Sequence, residues 1–305
     1  MFAGIDLGGT GSRFVTYRGN RVLASVTVTT KDLAAGARAE KLARLANTVS
    51  RLVPPGSKLQ GLGVGASGPV DRARGVVNNP DTLPGFTGFR LVAGLQRRLR
   101  VPVTIDNDAM VAAIAEQRIG AGKKASRMLM VTLGTGIGVA LVLDGKPFRG
   151  LDGAHPEAGH IPITSDVGRC YCGIAGCWEH LASRSALQRM LRPLVPTALA
   201  DREVLNGAVK LSYRKPIGQV FFDYGALVGR GLLALHALYM PDLTVLGGSV
   251  TDQFALFMPG LRASLAKSKQ FGGDVKVTVS ALGDIAGAVG AAIIAQDASI
   301  SPTAA

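Results

Sequence analysis

Aromatic residues are scarce, at 5% of 305 residues with a single tryptophan. Proteins that grip single-stranded nucleic acid stack its bases on aromatics set among Lys and Arg, and that combination is missing here. The chain is nonetheless basic, with 34 Lys and Arg against 21 Asp and Glu and a formal net charge of +13. Its clusters are small and dispersed, such as Arg97, Arg98 and Arg100 or Lys123 and Lys124, and read as solvated faces. A polyanionic small substrate is the other use of that charge, and no nucleic-acid partner is expected. Long hydrophobic runs are also lacking. The stretch from Ala286 to Ala295 falls well short of the ~20 apolar residues of a membrane helix, so no span is expected. No basic segment followed by an apolar one opens the chain, and Asp6 interrupts its first apolar run, which makes the cytoplasm the expected location. Outside one short segment there is no cysteine at all, which excludes a disulfide framework.

That segment holds Cys170, Cys172 and Cys177, with His160 ten residues before the first of them. Thiolates at Cys-x-Cys and Cys-x4-Cys spacing plus one imidazole suit a tetrahedral Zn2+, and Gly168, Gly173 and Gly176 supply the sharp bends such a knot needs. Four protein ligands close the coordination sphere, so the metal expected is structural and not a water-activating one. Free, partly buried thiols are the alternative. Glu157 precedes His160 by three residues and Glu179 follows Cys177 by two, so a fixed metal would also fix two carboxylates.

With 47% apolar residues the chain can bury a large core, in two domains more readily than one. Residues 3 to 22, AGIDLGGTGSRFVTYRGNRV, resemble residues 129 to 148, LMVTLGTGIGVALVLDGKPF. Each has an apolar strand, a Gly/Thr turn, a second apolar strand and a hairpin signal, Arg18-Gly19-Asn20 or Asp144-Gly145-Lys146. A duplicated hairpin implies two related lobes. Helical patterns are expected near 36 to 52, near 91 to 99, from about 107, after Cys177, from about 216 to 239, near 251 to 269 and from about 284 to 297. Strands are expected at 59 to 65, 101 to 105, 243 to 246 and 275 to 279, giving an α/β class, and the tail from Ser299 is expected to be loose.

Asp6-Leu7-Gly8-Gly9-Thr10 puts a carboxylate at a strand end and then glycines whose bare backbone amides can approach a phosphate, with Thr10 adding a hydroxyl. Steric need explains a Gly-rich hairpin equally well. A second copy at Gly134-Thr135-Gly136 favours two phosphate-cradling turns, and neither matches a P-loop or a dinucleotide fingerprint. Asp106-Asn107-Asp108 stands between a strand and an apolar helix, where a carboxylate is either a helix cap or a general base that takes a proton from an attacking alcohol. Asn107 would then orient that alcohol. Asn78 and Asn79 before Pro80 suit sugar hydroxyls or a simple turn, and Gly247-Gly248 after a strand suits backbone passing an adenine or loop punctuation.

Taken together these motifs resemble the ROK family of repressors, open reading frames and kinases, across nearly the whole chain. The resemblance places the first phosphate motif on Asp6, Gly8, Gly9 and Thr10, the second on Gly134, Thr135 and Gly136, and the adenosine segment on Gly247 and Gly248. It puts the catalytic base on Asp108 rather than Asp106. Glu157, His160 and Glu179 would touch sugar hydroxyls beside Asn79, Asn107 and Asp108, with His160 binding zinc through one ring nitrogen and facing sugar with the other. The implied fold is the duplicated, actin-like sugar-kinase fold of two lobes with a nucleotide and sugar cleft. The implied domains are residues 1–117 and 118–305, with the last helix packing back on the first lobe. The implied reaction is ATP-dependent phosphorylation of a primary hexose hydroxyl, with Mg2+ at the phosphates.

Two features bear on the acceptor. His155-Pro156-Glu157 resembles the fructokinase-like branch, whereas the cysteine pattern resembles the glucokinase and amino-sugar kinase branches. Glucose is therefore the first candidate, with fructose, mannose, an amino sugar or a cyclitol as alternatives and polyphosphate as an alternative donor. A sugar-binding regulator without catalysis is the reading from another class. Asp6 stands only five residues after Met1, so the helix-turn-helix domain of family repressors is not expected. A homodimer or higher homo-oligomer is implied by the resemblance alone.

Overall fold

The computed structural model describes residues 1–165, 168–199, 203–271 and 276–300. The chain opens with the strands β1 (Phe2–Leu7), β2 (Gly11–Arg18) and β3 (Arg21–Thr29). Next come helices α1 (Thr30–Ala34) and α2 (Arg38–Leu52), strand β4 (Gly61–Ala66), and the short strands β5 (Val70–Asp71) and β6 (Val76–Val77). Helix α3 (Leu91–Leu99), strand β7 (Val103–Asn107) and helix α4 (Asp108–Ile119) complete this half. A second hairpin, β8 (Arg127–Leu133) and β9 (Ile137–Leu143), leads to β10 (Lys146–Pro147). Helices α5 (Trp178–Ala182), α6 (Arg184–Leu191), α7 (Val204–Lys210) and α8 (Lys215–Tyr239) follow, then strand β11 (Leu243–Gly247), helix α9 (Phe254–Leu265), strand β12 (Lys276–Val279) and helix α10 (Ala286–Ile300).

The duplication read in the sequence is present in the sheets. One has the order β3-β2-β1-β4-β7 and the other β10-β9-β8-β11-β12, the same arrangement of consecutive-strand ribbon followed by two crossover strands. The turns at Gly19-Asn20 and Asp144-Gly145 each hold two successive residues at positive φ, as a two-residue type I′ hairpin requires. Strand β4 runs parallel to both β1 and β7, and β11 runs parallel to both β8 and β12. Their carboxyl ends therefore gather the turns and helix starts on which the candidate chemistry stands.

The chain forms two compact units, Met1–Ala125 with Ala140–Pro156 and the described part of Ser280–Ala305, and Ser126–Val139 with Glu157–Val279. A single boundary at 117/118 is not how contacts group, because side chains tie later segments to the first unit. Glu116, buried, accepts from the amides of Ala121, Ala281 and Leu282. Arg118 pairs with Asp297 at 2.8 Å.

In the first unit, α2 and α3 cover one face of the sheet through Leu45, Val49 and Leu95, packed on Ile5, Leu7, Phe14 and Val64. On the other face lies α10, which is buried nearly all round, with Ala288, Val289, Ala292 and Ile293 against Val15 and Tyr17. The close approach depends on missing side chains: a Cβ at Gly4 would stand 1.8 Å from the Ala288 carbonyl oxygen and one at Gly63 1.7 Å from that of Ala291. In the second unit α8 packs along α9 above a core that includes Trp178, Phe221, Tyr224 and Phe257.

Some boundaries differ from expectation. Residues 249–253 form a 3-10 turn before α9, and the helix stops at Leu265 instead of near 269, where Lys267 and Ser268 bond three residues back. Val275 and the tail residues 301–305 lie outside the described residues, while Ser299 and Ile300 still belong to α10. Among the described residues no helix is long and apolar enough to cross a membrane.

Candidate functional site

Parallel pairing sets the first unit's acidic centre. In the register, Asp6 lies opposite Gly65, Gly65 opposite Asp106, and Ala66 opposite Asn107, so the ends of β1, β4 and β7 come level. Asp6 is half-buried, and desolvation first, then the Asp108 charge, pushes its carboxyl up to about 7. The turn at Gly8, Gly9 and Thr10 is held from the start of α1. The Thr30 hydroxyl donates to the Gly8 carbonyl at 2.5 Å, and the Thr30 amide donates to the Thr10 carbonyl at 3.0 Å.

The two aspartates flanking Asn107 have different surroundings. Asp106 is 1% exposed and forms a two-pronged ion pair with the Arg149 guanidinium, one contact at 3.1 Å, while Arg72 Nε stands 3.5 Å away. Asp108, the first residue of α4, accepts from the Ser67 hydroxyl at 2.8 Å through Oδ2 and from the Ala109 amide at 2.8 Å through Oδ1. No Lys or Arg among the described residues forms an ion pair with it. Nearby, burial lowers the pKa of His155, while Asp108 and Asp106 act in the opposite direction.

Two expected acceptor ligands are engaged locally. Asn107 is the N-cap of α4, its Oδ1 accepting from the amides of Ala109 at 2.9 Å and Met110 at 3.2 Å, so only its Nδ2 is left to meet an alcohol. Asn79 donates through Nδ2 to the Gly68 carbonyl at 2.5 Å and accepts the Thr82 amide at 2.8 Å. Its side chain builds the loop, which is the turn reading of this motif.

In the second unit the sulfurs of Cys170, Cys172 and Cys177 and a ring nitrogen of His160 lie within 4.8 Å of one another. His160 turns Nδ1 to Cys177 Sγ at 3.3 Å and to Cys170 Sγ at 3.8 Å. Gly168, Gly173 and Gly176, the expected bends, all have positive φ. Burial and the neighbouring thiols push Cys177 up to about 12. The donor set is compatible with a structural Zn2+, which would stabilise those sulfurs as thiolates. His160 Nε2 faces away from the sulfurs and meets the Tyr171 hydroxyl at 3.2 Å.

The second Gly/Thr turn, the Gly247–Ser249 segment and Glu179 form one network in this unit. Glu179 Oε2 accepts the Ile137 amide at 2.8 Å. Gly248, at φ 84°, passes so near β8 that a Cβ would stand 2.6 Å from the Leu133 carbonyl oxygen. Arg184 joins the pieces, donating to Thr135 Oγ1 at 2.9 Å and Ser249 Oγ at 3.1 Å, while its amide donates to the Gly134 carbonyl at 2.8 Å. The Ser185 hydroxyl donates to the Thr135 carbonyl at 3.0 Å, and Ser185 also lines an open pocket with Gln188, Arg189, Arg192, Pro193 and Val204. Glu157 is exposed at the start of the unit's second segment.

Ser67, Arg149, Arg184 and Tyr171 escaped sequence reasoning. The first three belong to no motif and act at long sequence range. Tyr171 lay in view between Cys170 and Cys172, with no pattern to give it a role.

The ROK family model matches residues 2–298. The chain is 31% identical to a glucokinase of Streptomyces coelicolor over 261 residues, 79% of this chain and 82% of the relative. It is 28% identical to the xylose repressor of Bacillus subtilis over 243 residues, 78% of this chain but only 62% of the repressor's length. Among solved structures, a ROK family glucokinase from Streptomyces griseus in complex with glucose and AMPPNP has a TM-score of 0.80 at 28% identity, covering 97% of this chain and 99% of that one.

Proposed function

Because the chain belongs to the ROK family, we propose that it is an ATP-dependent sugar kinase in which Asp108 takes the proton of a primary hexose hydroxyl. The hydroxyl oxygen bonds to the γ-phosphorus as the bridge to the β-phosphate breaks, ADP leaves and the proton passes to Asp108. Glucose is the first candidate acceptor, in keeping with the glucokinases the chain resembles. Fructose, mannose, an amino sugar or a cyclitol could fill a similar hydroxyl net.

The observation that carries this reading is the contrast at the end of β7. Asp106 is buried and bound by guanidinium groups, so its lone pairs are engaged. Asp108 is oriented by a serine hydroxyl and an amide and bears no salt bridge to a described Lys or Arg, as a proton acceptor for an alcohol requires.

The nucleotide phosphates are assigned to the turns at Gly8-Gly9-Thr10 and Gly134-Thr135-Gly136, and adenosine to Gly247-Gly248. Arg184 keeps the last two in shape through Thr135 and Ser249. Asp6 fits a nucleotide-bound Mg2+, since burial beside Asp108 leaves its charge incompletely compensated. That cation would neutralise the phosphates. Glu157, His160 and Glu179 are assigned to acceptor hydroxyls, joined by Asn107 through Nδ2, with Asn79 shaping its loop. Zinc held by His160, Cys170, Cys172 and Cys177 would fix the orientation of His160 and supply no reactive group. A homodimer or larger assembly is proposed by analogy with the family.

The resemblance to a xylose repressor favours one second reading, a sugar-binding regulator without turnover. Glucose, fructose, mannose and glucosamine, each assayed with ATP and with polyphosphate, distinguish the two. Phosphorylation of one sugar that Asp108→Asn abolishes supports the kinase, whereas sugar binding without turnover selects the regulator.

A further inference from the structure

Tyr171 is an unusual aromatic residue for this chain. It stands between two cysteines of the candidate zinc knot and is 72% exposed. Its hydroxyl is nonetheless drawn inward. It lies 3.2 Å from His160 Nε2, the ring nitrogen turned away from the sulfurs, and the Glu179 and Glu157 carboxylates are close enough to act on it. The Tyr171 ring meets the His160 ring edge-on, with centroids 5.4 Å apart at 87°. One phenolic hydroxyl thus engages one of the three side chains assigned to the acceptor in this unit and lies near the other two.

We propose that Tyr171 is a specificity-determining residue whose hydroxyl occupies the place of an acceptor hydroxyl at His160, beside Glu179, so that a sugar must displace it to bind. The proposal rests on the acceptor assignment made above and goes beyond it.

The physical argument concerns what is held and what is not. A phenol O–H is one donor and an acceptor, the same equipment as a sugar hydroxyl, so it can satisfy a carboxylate and an imidazole at once. Most of the ring is in water, so swinging it out exposes little further apolar surface and the main loss is its polar contacts. Only acceptors whose hydroxyls replace the His160 contact and also suit the nearby Glu179 carboxylate recover that loss. An acceptor able to engage only one leaves a half-buried polar partner unmatched, which is how a hydroxyl-reading site rejects near analogues. While the phenol is in place the site is not competent, and apparent affinity falls by the competent fraction.

The test is calorimetric titration of glucose, fructose, mannose and glucosamine into the zinc-loaded protein and into Tyr171→Phe, with ATP turnover measured alongside. Phenylalanine keeps the ring and removes the competing hydroxyl, and equal zinc content shows that the knot is intact. The expected result is binding of the preferred sugar tightened by about three- to tenfold, the factor that loss of one net hydrogen bond predicts. Preference among the four sugars should narrow, and the effect on catalysis should appear in KM. Unchanged or weaker binding in Tyr171→Phe overturns the proposal, weaker binding showing that the phenol is itself a sugar ligand. A tightened Kd in a protein without turnover leaves the proposal standing and removes the kinase reading. No binding of any of the four sugars to either protein overturns both.

Discussion

Glu179 accepts the backbone N–H of Ile137 at 2.8 Å, so the helix that follows the last cysteine of the knot is tied directly to the second Gly/Thr turn. Space for the contact comes from Gly136, where a Cβ would stand 2.3 Å from the Glu179 carboxylate. One side chain thus links the segment assigned to acceptor hydroxyls with the segment assigned to ATP phosphates.

Replacing Gly136 with alanine should push that carboxylate out of the turn. The expected outcome is a rise in KM for both ATP and sugar, roughly tenfold or more given a lost charge-assisted hydrogen bond of about 1.5–3 kcal/mol. Steady-state kinetics with each substrate varied in turn check this. A rise confined to one substrate would show that Glu179 does not couple the two.

The aspartates flanking Asn107 should fail in opposite ways. Asp108→Asn keeps the shape of the α4 start and removes the base, so kcat should fall by about 10²–10⁴-fold with little change in Tm. Asp106→Asn uncouples a buried charge from Arg149 and should cost about 3–5 kcal/mol of stability. Denaturant melts and turnover on the same preparations separate the two.

Asp6 gives a pH signature. Its ordinary value is 3.8 and burial raises it to about 7 in the folded protein, so the unfolded chain releases the proton first. Stability associated with the protonated form is full below about pH 4 and is lost as pH rises through about 7, at a slope of up to about 1.4 kcal/mol per pH unit. Asp6→Asn should flatten this part of the curve and be more stable than the parent at pH 8, while binding Mg2+-ATP less tightly. Urea melts of both proteins at pH 4, 6 and 8 provide the check.

Metal analysis should find about one zinc per chain, with the three thiols protected from alkylation until a chelator is added. Chelation should weaken sugar binding while nucleotide binding persists. Cys177→Ser, at a buried ligand, should lose the metal altogether. Rapid alkylation of all three thiols before chelation would exclude the knot.

Much of the fold was legible because its signals are local. Positive φ at Gly19-Asn20 and Asp144-Gly145 is required by residue type and turn length, so the duplicated hairpin could be read from short strings. The same holds for the glycine bends at 168, 173 and 176 around the closely spaced cysteines. Boundaries were less legible. The end of α9 depends on backbone bonds at 267 and 268, and the grouping of residues 118–125, 140–156 and α10 with the first unit depends on Glu116, Arg118 and Arg149 reaching partners far along the chain.

By itself, then, the sequence determined the α/β duplication, the family, the two Gly/Thr turns and the Cys and His set, since each is specified by neighbouring residues and by hydrophobic period. Tertiary structure alone decided which aspartate is locked by arginine and which is not, that Asn107 caps a helix and Asn79 builds a loop, that Arg184 joins Thr135 to Ser249, and that the Tyr171 hydroxyl meets His160. Those outcomes depend on which distant groups compete for the same lone pairs and protons, and hydrogen-bond partnership between residues far apart in sequence is set only when the chain has folded.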